Sequence, residues 1–228
     1  MKQMVTIAAA LALAGAGLAQ EPAPADWVLE GKAAWQPRDS QAEHVFRDQL
    51  WIMGGWFQSF EAPPRDVWAS ADGKEWKQVA SNAPWLHSDL PMNITFQDKM
   101  WIMGGWYKGR LPGHSASNQV WSSSDGANWI CETEAAPWSP RLWFSAAVYR
   151  DRMWVLGGWS NNPSKNWGDV WHSKDGKTWE QLPTKTTWKE RHEHSVFVFK
   201  DKLWIAGGHA QPLSNEVWSL HLPTDWKP

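Results

Sequence analysis

The side chains with the most chemical capacity gather in one stretch, Glu190-Arg191-His192-Glu193-His194, with a further imidazole at His209. His192 and His194 are two residues apart, so an extended strand carries both on one face, and three imidazoles suit zinc or copper. No fixed ligand spacing accompanies them, so no metal or other cofactor is expected; His192, His194 and His209 are the residues that would hold one. The other chemistry on offer is proton transfer, with Arg191, Glu193 and His194 as the candidate catalytic group. Arg191 also belongs to a set of three arginines standing ten residues ahead of an aspartate: Arg38 before Asp48, Arg141 before Asp151 and Arg191 before Asp201. Trp56, Trp106 and Trp159 each follow a pair of glycines, and His209 follows the fourth pair. Indole faces stack on pyranose rings and guanidinium groups grip carboxylates at two points. The candidate ligand-binding set is therefore Trp56, Trp106, Trp159, His209, Arg38, Arg141 and Arg191, suited to a sugar that carries a carboxylate.

What must position these residues is a repeat. Leu50-Trp51-Ile52-Met53-Gly54-Gly55 recurs as Met100 to Gly105, Met153 to Gly158 and Leu203 to Gly208, a period close to 50 residues. Downstream stand Val-Trp pairs ending at Trp68, Trp121, Trp171 and Trp218, each followed eight residues later by a second tryptophan at 76, 129, 179 or 226. Three copies place Ser-x-Asp-Gly in that interval, a hairpin signal. Upstream, each copy has an apolar run closing on aromatic-x-Asp, at Phe46, Phe96, Tyr149 and Phe199. Each unit thus reads as four short antiparallel strands: the apolar run, a tight turn, the Trp-rich strand, a long loop, the Val-Trp strand, a hairpin and a last strand opened by the second tryptophan. No sustained helical period competes with it. Trp27-Val28-Leu29 reads as an extra last strand ahead of the first unit.

Composition agrees with a packed domain and narrows the class. The chain has 228 residues, 22 of them tryptophan, a net charge of −2 and a single cysteine, Cys131. Mixed charges near balance argue against nucleic acid as a partner. One cysteine forms no internal disulfide, so packing must hold the fold. Residues 1–19 combine Lys2, a short Ala-rich apolar run and Gly17-Leu18-Ala19, the pattern of a signal peptide cleaved before Gln20. Residues 20–26 then form a flexible leader, and 27–228 a single domain, secreted or periplasmic, with no membrane insertion after cleavage.

Paired glycines with a spaced tryptophan, repeated four times, resemble the kelch-repeat β-propellers of the galactose oxidase and kelch superfamily, in a secreted bacterial form. The resemblance spans about residues 27 to 228 and implies an all-β, kelch-type β-propeller of about four four-stranded blades. The N-terminal strand is expected to close the ring, with self-association if it stays incomplete. Two features depart from the usual blade: tryptophan in place of tyrosine on strand three, and the tight Asp-Gly turn. Kelch-like blades also use an arginine near these positions to bridge neighbouring blades, a structural reading of Arg38, Arg141 and Arg191. The function implied is a binding or interaction module for a glycan or protein at the face carrying the glycine-pair loops, and not an enzyme. The alternative is an extracytoplasmic sugar-active enzyme similar to the kelch-type N-acetylneuraminate epimerases, working through Arg191, Glu193 and His194. A copper-radical oxidase is not expected: it needs a Tyr-Cys crosslink and a second tyrosine, and with only Tyr107, Tyr149 and Cys131 present the cysteine falls on an outer strand.

Overall fold

The structure, a computed structural model, describes residues 25–57, 62–109 and 111–227. The signal peptide expected at 1–19 lies outside the described residues. The chain divides into a short unit, Met1–Glu30, and a compact unit, Gly31–Pro228, that holds every described strand.

Four sheets follow one another, each built from one sequence repeat. The first contains β1 (Ala42–Phe46), β2 (Gln49–Met53), β3 (Val67–Ser70) and β4 (Lys77–Ala80), in that spatial order. The second contains β5 (Met92–Phe96), β6 (Lys99–Met103), β9 (Val120–Ser123) and β10 (Ile130–Thr133), with the small hairpin β7 (Trp106–Tyr107) and β8 (Ser115–Ala116) in its long loop. The third contains β11 (Ser145–Tyr149), β12 (Arg152–Leu156), β15 (Val170–Ser173) and β16 (Glu180–Gln181), and β13 (Trp159–Asn161) with β14 (Ser164–Asn166) forms its loop hairpin. The fourth has three strands, β17 (Ser195–Phe199), β18 (Lys202–Ala206) and β19 (Val217–Leu220). All pairings are antiparallel. This is the all-β, kelch-type propeller architecture expected from the repeat.

The x-Asp dipeptide makes the first turn of each blade. Arg47-Asp48, Gln97-Asp98, Arg150-Asp151 and Lys200-Asp201 all have positive φ, between 46° and 58°. Two such residues in succession are what a two-residue hairpin of primed type requires, and they pair Phe46 with Gln49 and set the register behind it. The Ser-x-Asp-Gly turn closes on itself: Ser70 Oγ accepts from Gly73 N at 2.8 Å, and Asp72 accepts from the amides of Lys74 and Glu75.

The core lies between blades. Phe46 and Trp51 pack with Met100 and Ile102 of the next blade. Phe96 and Trp101 do the same with Met153 and Val155, and Tyr149 and Trp154 with Leu203 and Ile205. The second-strand tryptophans also donate their indole N–H to the carbonyl of the aromatic residue that ends the first strand, at 2.8–3.0 Å in all four blades.

One expectation is corrected here. Trp27-Val28-Leu29 forms no strand, and among the described residues the β17-β18-β19 sheet has three strands. The Trp27 amide donates to the neighbouring Asp26 carboxylate. Among the described residues, no helix is long and apolar enough to cross a membrane.

Candidate functional site

Each blade contributes the same backbone device to one face. The residue after the glycine pair pairs across an isolated bridge with the second residue of the loop leading into the blade: Asp39 with Trp56, Asp89 with Trp106, Leu142 with Trp159, and His192 with His209. The next residue of that loop, Ser40, Leu90, Trp143 or Glu193, is held at φ between 53° and 57°. A left-handed conformation at four non-glycine residues costs energy, and it persists because the bridges on either side fix the backbone. Asp89 and Asp39 exemplify the grip: the Trp106 and Trp56 amides donate to their carbonyls at 2.6 and 2.7 Å.

The side chains so placed form one aromatic-walled cavity of about 510 Å³, lined by Trp56, Trp106, Trp159, Trp143, Leu142, Leu90, Ser40, Asp89 and Gly109. The three tryptophans expected from the sequence therefore share one space. Trp106 and Trp159 belong to a continuous series of rings: His114 stacks on Trp106 at 5.0 Å, Trp106 meets Trp159 at 6.2 Å, Trp159 meets Trp143 at 5.6 Å, and Trp143 stacks on His192 at 5.3 Å. Trp106 is fixed by donating Nε1–H to the Gly109 carbonyl at 2.8 Å. Gly109 has to be glycine because a Cβ there would strike the Trp56 ring.

Asp89 gives the cavity its polarity. It is buried, and its Oδ1 has no hydrogen-bond partner. Burial, reinforced by the charge of Asp39, pushes its carboxyl up to about 7. Sequence reasoning passed over Asp39 and Asp89. The signal was available: both occupy the register position of His192, one residue after the arginine series.

The fourth blade carries the exception. His192 Nδ1 lies 2.7 Å from Asn166 Oδ1, and Asn166 Nδ2 donates to the His209 carbonyl at 2.8 Å, which orients the amide. With Nδ1 donating, His192 Nε2 accepts from His209 Nδ1, 3.2 Å away. Burial lowers the His192 pKa below the usual histidine value, and His209 adds to the effect. His194 is elsewhere, buried against Trp188 with neither ring nitrogen hydrogen-bonded. Hence the three imidazoles named in the sequence do not converge. Among the described residues, no group of three or more His, Cys, Asp or Glu is arranged to hold a metal.

The arginines are not at the cavity. Arg38 donates to the Gly54 carbonyl at 2.9 Å and pairs with Asp66 at 2.5 and 2.9 Å. Arg141 bonds the Gly157 carbonyl and Asp169 in the same way, and Arg191 bonds the Gly207 carbonyl and Glu216. In each case the indole N–H of the strand-three tryptophan, Trp68, Trp171 or Trp218, donates to the same carboxylate. The guanidinium groups are thus spent on holding the glycine-pair loops. The second blade substitutes Gln119, which accepts from Trp121, and Ser88, whose hydroxyl is buried without a partner. Arg191, Glu193 and His194 consequently do not share a reaction space, since Arg191 and His194 are buried and Glu193 is exposed.

No curated protein matches the chain. A family model described as the KLHDC2/KLHL20/DRC7 Kelch-repeats domain matches residues 40–227, which runs from the left-handed Ser40 through all four blades. Kelch repeats generally act as protein-interaction modules. On that match, supported by the four-blade repeat and its glycine-pair loops, the chain belongs to the Kelch-repeat family.

Proposed function

We propose that the chain is a binding module whose aromatic cavity receives a projecting cationic side chain, lysine or arginine, of a protein ligand. The observation that carries this reading is the sharing of one cavity by Trp56, Trp106, Trp159 and the unpartnered Asp89. Indole faces attract a cation through their quadrupole, and a carboxylate that ionises near neutrality adds a charged acceptor. The arginines' absence from the cavity removes the feature that favoured a sugar acid. A neutral glycan stacked on Trp106 and Trp159 is the second reading, favoured by their tilted approach at 6.2 Å. Export by the signal peptide belongs to the same proposal, and immunoblotting of cell fractions for a chain beginning at Gln20 tests it.

The binding test is a random-peptide display screen and a glycan array, each run with the wild-type protein and with Trp159→Ala. Enrichment of Lys- or Arg-centred peptides, lost in the variant, is expected. Glycan hits lost in the variant would transfer the site to the second reading. Ligands that bind both proteins equally would place recognition outside this cavity and end the proposal.

A further inference from the structure

The three inter-blade cores have one composition: an aromatic and a tryptophan from one blade, and two apolar residues from the second strand of the next. A fourth set of each half exists, and the two halves are apart. Phe46, Phe96 and Tyr149 are 5%, 6% and 3% exposed, whereas Phe199 at the same position of the fourth blade is 58% exposed. Trp51, Trp101 and Trp154 are buried, and Trp204 is only half-buried. The opposite side of the first blade mirrors this: Met100, Met153 and Leu203 are 0%, 0% and 2% exposed, whereas Leu50 is 41% exposed. The inner strands pack in the series β1, β5, β11, β17, and no comparable packing joins β17 back to β1.

Two further devices are unmatched at the same places. Gly126 sits directly on the Trp51 ring of the preceding blade, and Gly176 on the Trp101 ring of the blade before it, so closely that a Cβ would collide. Gly73, the first of the series, meets only Leu50 of its own blade, 3.5 Å away. Two of the three internal junctions add an ion pair between turns. Arg47 of the first blade pairs with Asp98 of the second, and Arg150 of the third with Asp201 of the fourth. Lys200 of the fourth blade holds its cation over its own Phe199 ring at 5.2 Å, and among the described residues neither it nor Asp48 of the first blade has an ion pair.

We infer that the fourth blade of one copy docks on the first blade of a second copy, reproducing the internal blade junction. Phe199 and Trp204 would meet Leu50 and Ile52, the Gly73 turn would cap Trp204, and Lys200 would pair with Asp48. The occupant is a second copy because each exposed half matches, residue for residue, the face that already packs inside the chain. The contact is head-to-tail, joining different surfaces of the two copies. Propellers carry about four to eight blades, so two four-blade copies fit one ring and three do not.

Sedimentation equilibrium of the chain over a concentration series tests this, with Phe199→Glu and Leu50→Glu as variants. Both positions are exposed, so the single chains should fold as the wild type does, which circular dichroism checks. The wild type should reach twice the mass of the single chain. Each variant should associate about a hundredfold more weakly, since a carboxylate would be buried at an apolar joint. Mixing the two variants should restore a single joint, because each retains the face the other lacks. Lys200→Glu with Asp48→Lys should associate better than either alone. A single-chain mass at all concentrations, filaments in place of a dimer, or a dimer indifferent to both glutamates would overturn the inference.

Discussion

Arg141 and Asp169 form a two-point ion pair at 2.6 and 3.0 Å, with the guanidinium fully buried and 28 residues separating the partners. The pair ties the loop entering the third blade to the residue that opens its third strand. It also presents the Gly157 carbonyl with a donor at 2.9 Å, so the glycine pair behind Trp159 cannot shift without breaking it. The neighbouring guanidinium holds the Asp169 carboxyl below the usual carboxylate range despite its burial.

Asp169→Asn should therefore leave a buried guanidinium with half its partner. Removing one member of a buried pair costs about 3–5 kcal/mol. Urea unfolding should show the midpoint fall accordingly, with an unchanged slope. Glu216→Gln, at the most exposed of the three pairs, should cost far less, because its carboxylate is 50% exposed. Equal losses in the two variants would show that burial does not set the strength of these clamps.

Acid should unfold this protein earlier than its carboxylates alone predict. Burial pushes His44 and His194 down to about 4, so the folded state keeps them neutral while the unfolded chain protonates them near the ordinary value of 6.5. The unfolded state then binds more protons, and stability is lost as pH falls from about 6.5 toward 4. His194→Phe copies Phe144 and His44→Ile copies Ile94, the residues at the same blade positions. The double variant should flatten the stability profile across that interval; a slope equal to that of the wild type would remove these histidines from the account.

Much of this was legible in the sequence, and what was missed has a physical reason. Tight turns and glycine pairs are read easily because backbone geometry restricts their residues, and so the blades and the shared face of Trp56, Trp106 and Trp159 emerged from spacing. The arginines kept two readings, ligand contact and structural clamp, because charge alone does not distinguish a buried clamp from a surface fork. Their partners were nevertheless written in the repeat. Asp66, Asp169 and Glu216 precede the Val-Trp pair only in blades that carry the arginine, and Gln119 stands there where Ser88 replaces it. The closing strand was misread for a different reason: Trp27-Val-Leu has the local pattern of a fourth strand, but a strand exists only when an edge pairs with it.

Asp89 should make ligand binding depend on pH around neutrality. Its raised carboxyl, at about 7, is neutral in the folded state below that value and charged above it. The sign for stability follows: stabilisation is complete below the unfolded value of 3.8 and is lost as pH rises through about 7. Asp89→Asn should therefore gain stability relative to the wild type at alkaline pH and match it in acid. For a lysine-bearing peptide, wild-type affinity should rise about tenfold across the same range, as expected for one new charge interaction of roughly 1.4 kcal/mol. Calorimetric titrations at several pH values should find the variant flat. A parallel rise in both proteins would assign the pH dependence to another group.

The glycine turns allow the inter-blade junction to be separated from backbone strain. Gly73, Gly126 and Gly176 share a positive φ of 72° to 76°, so alanine at any of them carries the same left-handed penalty, about 1–2 kcal/mol. Only the last two also face a tryptophan ring of the preceding blade. Gly176→Ala should thus cost clearly more than Gly73→Ala, by about 1–3 kcal/mol for the overpacking, with Gly126→Ala beside it. Thermal unfolding of the three variants as single chains, at concentrations too low for association, gives the comparison. Because the strain is common to all three, the difference measures the fit of turn on ring, and equal destabilisation would mean that Trp51 and Trp101 yield freely and the blades are not locked at this point.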